Sequence, residues 1–138
     1  NPNAVYHMEN IGYLKTLCGD WESGPATIRR AIQLNPFYNV IVHYALWVDH
    51  VRQKDYRKAL HETYNFRTPT LFWDPLMRAA ALGLTDSIDQ GNEAARHLLT
   101  LKPDFAVRGR RLIEYYVKFD EIVDTMIDGL RRVGIDVV

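Results

Sequence analysis

The chain has 138 residues, 47% hydrophobic and 25% charged, and its formal net charge is zero. That composition fits one folded unit or a short array of repeats and excludes both two ordinary domains and intrinsic disorder. The balanced charge gives no global pull toward nucleic acid or an anionic membrane, and no apolar run approaches the roughly eighteen residues of a bilayer span.

In chain order the sequence reads as helix after helix. Aromatic and β-branched residues recur at helical spacing, and no alternating run is bounded by hairpin turns. Eight helices are predicted, at about 3–18, 21–35, 38–52, 55–67, 73–85, 88–101, 104–118 and 120–133. Asp20, Asp55 and Asp120 precede amphipathic runs, where a carboxylate can accept from free N–H groups. "LNP" at 34–36, "RTP" at 67–69, "LKP" at 101–103 and Gly134 are plausible stops. The connections are short, so neighbours are expected to run antiparallel. Gly24–Pro25 falls just inside the second helix, which predicts a late or tightened start for it rather than a break.

A register repeats along the chain. Gly12, Gly24 and Pro36 are spaced twelve apart, and so are Ala79, Gly91 and Pro103. Ile28 and Ala31 in the first copy answer Ala95 and Leu98 in the other, which lies 67 residues further on. A degenerate middle copy runs through Asp55, Tyr56 and Ala59, with Trp47 in place of the small residue. Small residues allow two helices to cross closely, here Gly12 with Gly24 and Ala79 with Gly91. Proline then turns the chain into the next unit, and copies must stack to bury both faces.

The stretch Met8-x-x-Ile11-Gly12 … Gly24-x-x-x-Ile28-x-x-Ala31 … Pro36 resembles a tetratricopeptide repeat. The resemblance implies an all-α, right-handed superhelical solenoid of antiparallel helix hairpins. One repeat domain over 1–138 is expected, with repeats at about 5–38, 39–71 and 72–106 and a C-terminal helix pair at 104–134. "GDWESG…AIQLNP", "PLMRAAALG", "LLTLKPDF" and "DGLRRVGI" are also similar to the C-terminal repeat regions of bacterial regulatory proteins. In those proteins the array follows an adenylate/guanylate cyclase-like catalytic module or a DNA-binding module. The chain begins with Asn rather than Met, so it is expected to be a piece of a longer protein. "NPNAVYHMEN" does not read as a signal peptide, and the lone Cys18 fits a reducing, cytoplasmic setting.

Motifs for chemistry are weak. His43 and His50 share a helix face, but HExxH and CxxC spacings are missing, so they are expected to be structural. Cys18 lies at a helix C-terminus, where the dipole disfavours a thiolate, and is expected to pack at a turn. No glycine-rich phosphate loop or paired-carboxylate cleft is evident, so neither catalysis nor a cofactor is expected. The arginine pairs 29–30, 110–111 and 131–132 lie in separate helices among acidic residues, the pattern of solvated faces. A weaker possibility is a small-molecule pocket near His43, His50 and Trp73.

The expected function is protein–protein interaction. In a stacked array the first helix of each hairpin lines the concave face. Helical spacing places Tyr6, Glu9, Tyr13 and Thr16 there from the first helix, and Ile41, Tyr44, Val48 and Val51 from the third. Trp73, Leu76 and Ala80 follow from the fifth, and Arg108, Arg111, Tyr115 and Lys118 from the seventh. Residues 102–118 carry five basic groups against two acidic ones, so the groove turns basic at one end. Its ligand is expected to be a protein or peptide segment, with homo-oligomerisation through the repeats as the alternative. Repeat domains that grip chaperone C-termini resemble each other in an Asn/Lys/Arg clamp. Glu9, Tyr13, Ala45 and Trp73 stand at those places, so that clamp is missing.

Overall fold

The computed structural model describes residues 2–138 and is all-helical, with eight helices and no strand among the described residues. They are α1 (Pro2–Leu17), α2 (Ser23–Leu34), α3 (Val42–Arg52), α4 (Tyr56–Phe66), α5 (Trp73–Leu84), α6 (Ile88–Leu101), α7 (Phe105–Tyr116) and α8 (Asp120–Arg132). No helix among the described residues is long and apolar enough to cross a membrane.

Within the pairs α1–α2, α3–α4 and α5–α6 the same turn recurs. Gly19, Lys54 and Asp86 each take a positive φ, of 96°, 61° and 59°. The next residue then donates its N–H five residues back, Asp20 to Lys15, Asp55 to His50 and Ser87 to Leu82. This is a left-handed helix stop that satisfies the last carbonyls. Asp20 and Asp55 also start the following helix, accepting from the N–H groups of Ser23 at 3.0 Å and Lys58 at 3.1 Å. Asp120 does not act this way. It is the first helical residue, after Phe119, and with Glu121 it places negative charge in the first turn of α8.

Lys54 has a Cβ where glycine would be unstrained. Lys54→Gly is therefore expected to stabilise the fold by about 1 kcal/mol and to raise Tm by roughly 3–5 °C. Thermal unfolding followed by circular dichroism checks this, and a lower Tm would refute it.

The second helix starts late, at Ser23, leaving Pro25 in its first turn, where no helical bond depends on a proline N–H. Gly24 sits against α1. A Cβ there would lie 2.6 Å from the Thr16 nitrogen and 2.8 Å from its Cα, and one on Gly12 would lie 2.9 Å from the Ile28 nitrogen. The expected crossing of Gly12 with Gly24 is thus present. The pair Ala79–Gly91 behaves differently: a Cβ on Gly91 would meet Val133 and Leu82 first. Its space is taken by the end of the chain.

That end departs most from the simple pairing. The eighth helix packs chiefly against α5 rather than α7. Gly83 and Gly129 meet at this crossing: a Cβ on Gly83 would lie 2.8 Å from the Gly129 carbonyl carbon, and one on Gly129 would lie 2.9 Å from Leu84 Cγ. After Gly134 (φ 99°) the tail alternates, with Val133, Ile135 and Val137 buried and Asp136 and Val138 exposed. The Val138 N–H bonds to the Ala106 carbonyl at 2.9 Å.

Most of the core is one cluster running from Tyr44 to Val137, with a smaller one of Ile28, Val42, Ala45 and Leu46 between the first pair and α3. Trp47, which breaks the small-residue register, is wholly buried, and its Nε1 has no partner among the described residues. Cys18 is exposed at the end of α1 rather than packed in the turn.

Candidate functional site

The odd-numbered helices surround a cavity of about 670 Å³. Tyr13 and Leu17 of α1 line it with Tyr44 and Val48 of α3 and Trp73 and Met77 of α5, while Leu112, Tyr115 and Tyr116 close the α7 side. The space exists because α7 reaches the α5 face through rings rather than close backbone packing. Trp73 and Tyr116 meet edge-to-face with centroids 5.2 Å apart, and Tyr116 also meets Tyr115 edge-on at 5.6 Å. Also in the lining, Phe72 lies 5.2 Å from Trp73, and Lys102 Nζ lies 5.2 Å from the Phe72 ring. Lys102 is the one charged residue in the lining.

Three phenols converge here. Tyr13 is half-buried, and its pKa is pushed up to about 12, first by burial and then by the neighbouring Tyr116 and Tyr44. Tyr44 is raised by burial and by Asp74, against the lowering effect of its hydrogen bond with the Thr68 hydroxyl. Tyr13 and Tyr44 are therefore neutral at physiological pH and can donate a hydrogen bond without introducing negative charge.

Of the residues read from the sequence as a concave surface, Tyr13, Tyr44, Val48, Trp73 and Tyr115 come together here, with Ile41 beside them. The others go elsewhere. Glu9, 4% exposed, accepts from Asn35 Nδ2 at 3.2 Å and the Asn39 N–H at 3.4 Å, tying α1 to the loop after α2. Thr16 lies under Gly24 and bonds to the Gly12 carbonyl at 2.8 Å. The stripe Glu9–Gly12–Thr16 therefore faces α2, and the cavity face of α1 is Tyr13–Leu17. Tyr6 is 60% exposed and lies outside the lining.

Leu76 and Ala80 are fully buried in the core, and the Ala80 carbonyl lies against Gly129, so α8 covers that part of α5. Arg108 pairs with Asp104 at 3.3 Å, and Arg111 is exposed; neither lines the cavity. Lys118 donates to the Glu114 carbonyl at 2.8 Å and sits 5.7 Å from the Tyr115 ring. Lys102, Met77 and Tyr116 were missed. Met77 lies four positions after Trp73, a signal available from helical spacing, whereas Tyr116 is turned inward by its ring contact with Trp73.

His43 and His50 belong to a different cluster, so the pocket imagined around them and Trp73 does not form. Glu62 of α4 bridges them: one carboxylate oxygen meets His43 Nδ1 and the other meets His50 Nε2 at 3.0 Å. Asn65 donates to the same carboxylate at 3.2 Å, and the Tyr38 hydroxyl meets His43 Nε2 at 2.8 Å. A carboxylate only accepts, which places protons on His43 Nδ1 and His50 Nε2. Burial alone would raise the Glu62 pKa. The hydrogen bonds from His43 and His50, the charge on His43 and the Asn65 bond outweigh it and hold the group down to about 2. No group of three or more His, Cys, Asp or Glu side chains among the described residues is arranged to hold a metal ion.

Comparison with family models, curated proteins and solved structures finds no significant match to this chain.

Proposed function

We propose that this chain is a non-catalytic protein-interaction module that binds a protein or peptide segment across the openings between its odd-numbered helices. The observation that carries this is the aromatic cavity lined by four helices, into which a partner's apolar side chain would insert. Trp and Tyr rings, with Arg, are the residue types that dominate binding energy at interfaces. Tyr115 lines the cavity on α7, and Arg111, exposed outside the lining, precedes it by one helical turn. The helices are read as a right-handed solenoid of tetratricopeptide-like hairpins, working in the cytoplasm as part of a longer bacterial regulatory protein. The turn repeated at Gly19, Lys54 and Asp86 and the Gly12–Gly24 crossing support this reading, and α8 then serves as the cap of the array.

Tyr115→Ala and Arg111→Ala test it, because both side chains are exposed and neither supports the core. Each is expected to lower capture of a partner at least tenfold in a quantitative pull-down, about the 1–2 kcal/mol of a rim contact to a hot spot, with helicity unchanged. Undiminished capture would overturn the site.

A second reading, self-association, is favoured by the outer face of α1. There Ile11 and Leu14 are 50% and 59% exposed, and Phe37 after α2 is 89% exposed. Light scattering across concentration decides it: a monomer at high concentration removes this reading.

A further inference from the structure

We propose that the cavity between α7 and the α1–α3–α5 face binds a small amphipathic monocarboxylate. Its apolar body would lie among Tyr44, Trp73, Met77 and Leu112, and its carboxylate would pair with Lys102. This goes beyond the protein-partner reading and does not depend on it.

Three observations point the same way. The volume, about 670 Å³, lies within the range of small-molecule sites, and the walls are largely aliphatic and aromatic. Lys102 is the sole charged lining residue, with its Nζ over the Phe72 ring and in no ion pair among the described residues. The hydroxyls of Tyr13 and Tyr116, which also line the space, have no hydrogen-bond partner among the described residues. An apolar floor with one cation and free O–H donors complements an anion on an apolar body.

The alternatives fit less well. An alkylamine would find no carboxylate in the lining, and a neutral hydrocarbon would bury part of Lys102 without a counter-charge. No Asn, Gln, Asp or Glu lines the cavity, so an entering backbone would have only the Thr70 and tyrosine hydroxyls to meet its N–H groups.

Decanoate, decylamine and 1-decanol, used below their aggregation concentrations, are suitable probes. The chain has three methionines, and Met77 alone lines the cavity, so a methionine-methyl carbon label reads the site directly. Decanoate is expected to shift the Met77 methyl saturably, leave Met126 in place, and bind about tenfold more tightly than decylamine, the worth of one charge-assisted contact. Lys102→Leu should bring decanoate and decylamine to within about twofold of each other while 1-decanol still binds. Lys118→Leu, outside the lining, should leave the preference intact. Equal affinity for decylamine, an unchanged preference in Lys102→Leu, a shift at Met126 without one at Met77, or no saturable binding would each overturn the proposal. Circular dichroism of both variants confirms that the helices persist.

Discussion

Gly83→Ala and Gly129→Ala are each expected to destabilise the protein by about 2–3 kcal/mol, reversing the usual sign of such a change. In an exposed helix interior, alanine is worth up to about 1 kcal/mol over glycine. At this crossing the new methyl has nowhere to go. On Gly83 it would sit 2.8 Å from the Gly129 carbonyl carbon and 3.2 Å from its Cα, and on Gly129 it would meet the Ala80 carbonyl and Leu84. Backbone atoms cannot rotate aside as a flexible side chain can, so α8 must move off α5. Ala80, Met126 and Leu130, all fully buried, then lose part of their packing. Urea unfolding should show a lower midpoint with little change in slope, and a Tm lower by about 8–15 °C. The double variant should cost less than the two single changes added, because one displacement of α8 relieves both clashes. A stability equal to or above that of the parent chain would mean the crossing is looser than this geometry.

Much of the fold was legible from local signals. The eight helices lie within about four residues of their expected bounds, because Asp20 and Asp55 cap, the prolines stop, and Gly19 and Gly134 leave the helix left-handed. Lys54 and Asp86 take the same left-handed position without glycine; aspartate visits it more readily than most residues, so only the Lys54 turn carried no residue signal. Pairing at a distance was less legible. The register that joined Gly12 to Gly24 also joined Ala79 to Gly91, yet Val133 occupies the space beside Gly91. Nothing local in "DGLRRVGIDVV" says that α8 will cross α5 or that an alternating tail will run over Gly91 to Ala106.

The site was half legible for the same reason. On α3 the reading placed Tyr44 and Val48, with Ile41 just before the helix, on the cavity, but it also included Val51, which is buried in the core outside the lining. On α1 the reading included Glu9 and Thr16, which face α2, and omitted Leu17. Glu9 is a charged residue that ordinarily stays in solvent, and its burial depends on Asn35 and the Asn39 N–H, both beyond the next helix. On α7 attention to charge selected Arg108 and Arg111 over Tyr116. The ring contact with Trp73, a tertiary pairing, decides which side of α7 faces inward.

Replacing Glu62 should be the most damaging single polar change, and its effect should vanish in acid. The group is 8% exposed and accepts from His43, His50 and Asn65 at once. Glu62→Leu removes the shared acceptor and leaves two buried imidazoles without it, at a cost of about 3–5 kcal/mol. Glu62→Gln keeps the shape but turns one acceptor into a donor facing an imidazole N–H, so it should lose nearly as much. The pH dependence follows from linkage. Folded Glu62 is held at about 2, against 4.5 for an ordinary glutamate. As pH falls below 4.5 the unfolded chain takes up this proton first, and the folded carboxylate follows only near 2. The contribution is therefore fully present above about pH 4.5 and is lost on the way down to about pH 2, amounting to roughly 3 kcal/mol. Urea unfolding from pH 6 to 2.5 should show the parent chain losing stability through this window, with the curve for Glu62→Gln flatter by that amount. Parallel curves would mean that Glu62 is not held in this ionised bridge, and equal stability at pH 6 would mean that the His43–Glu62–His50 cluster does not stabilise the fold.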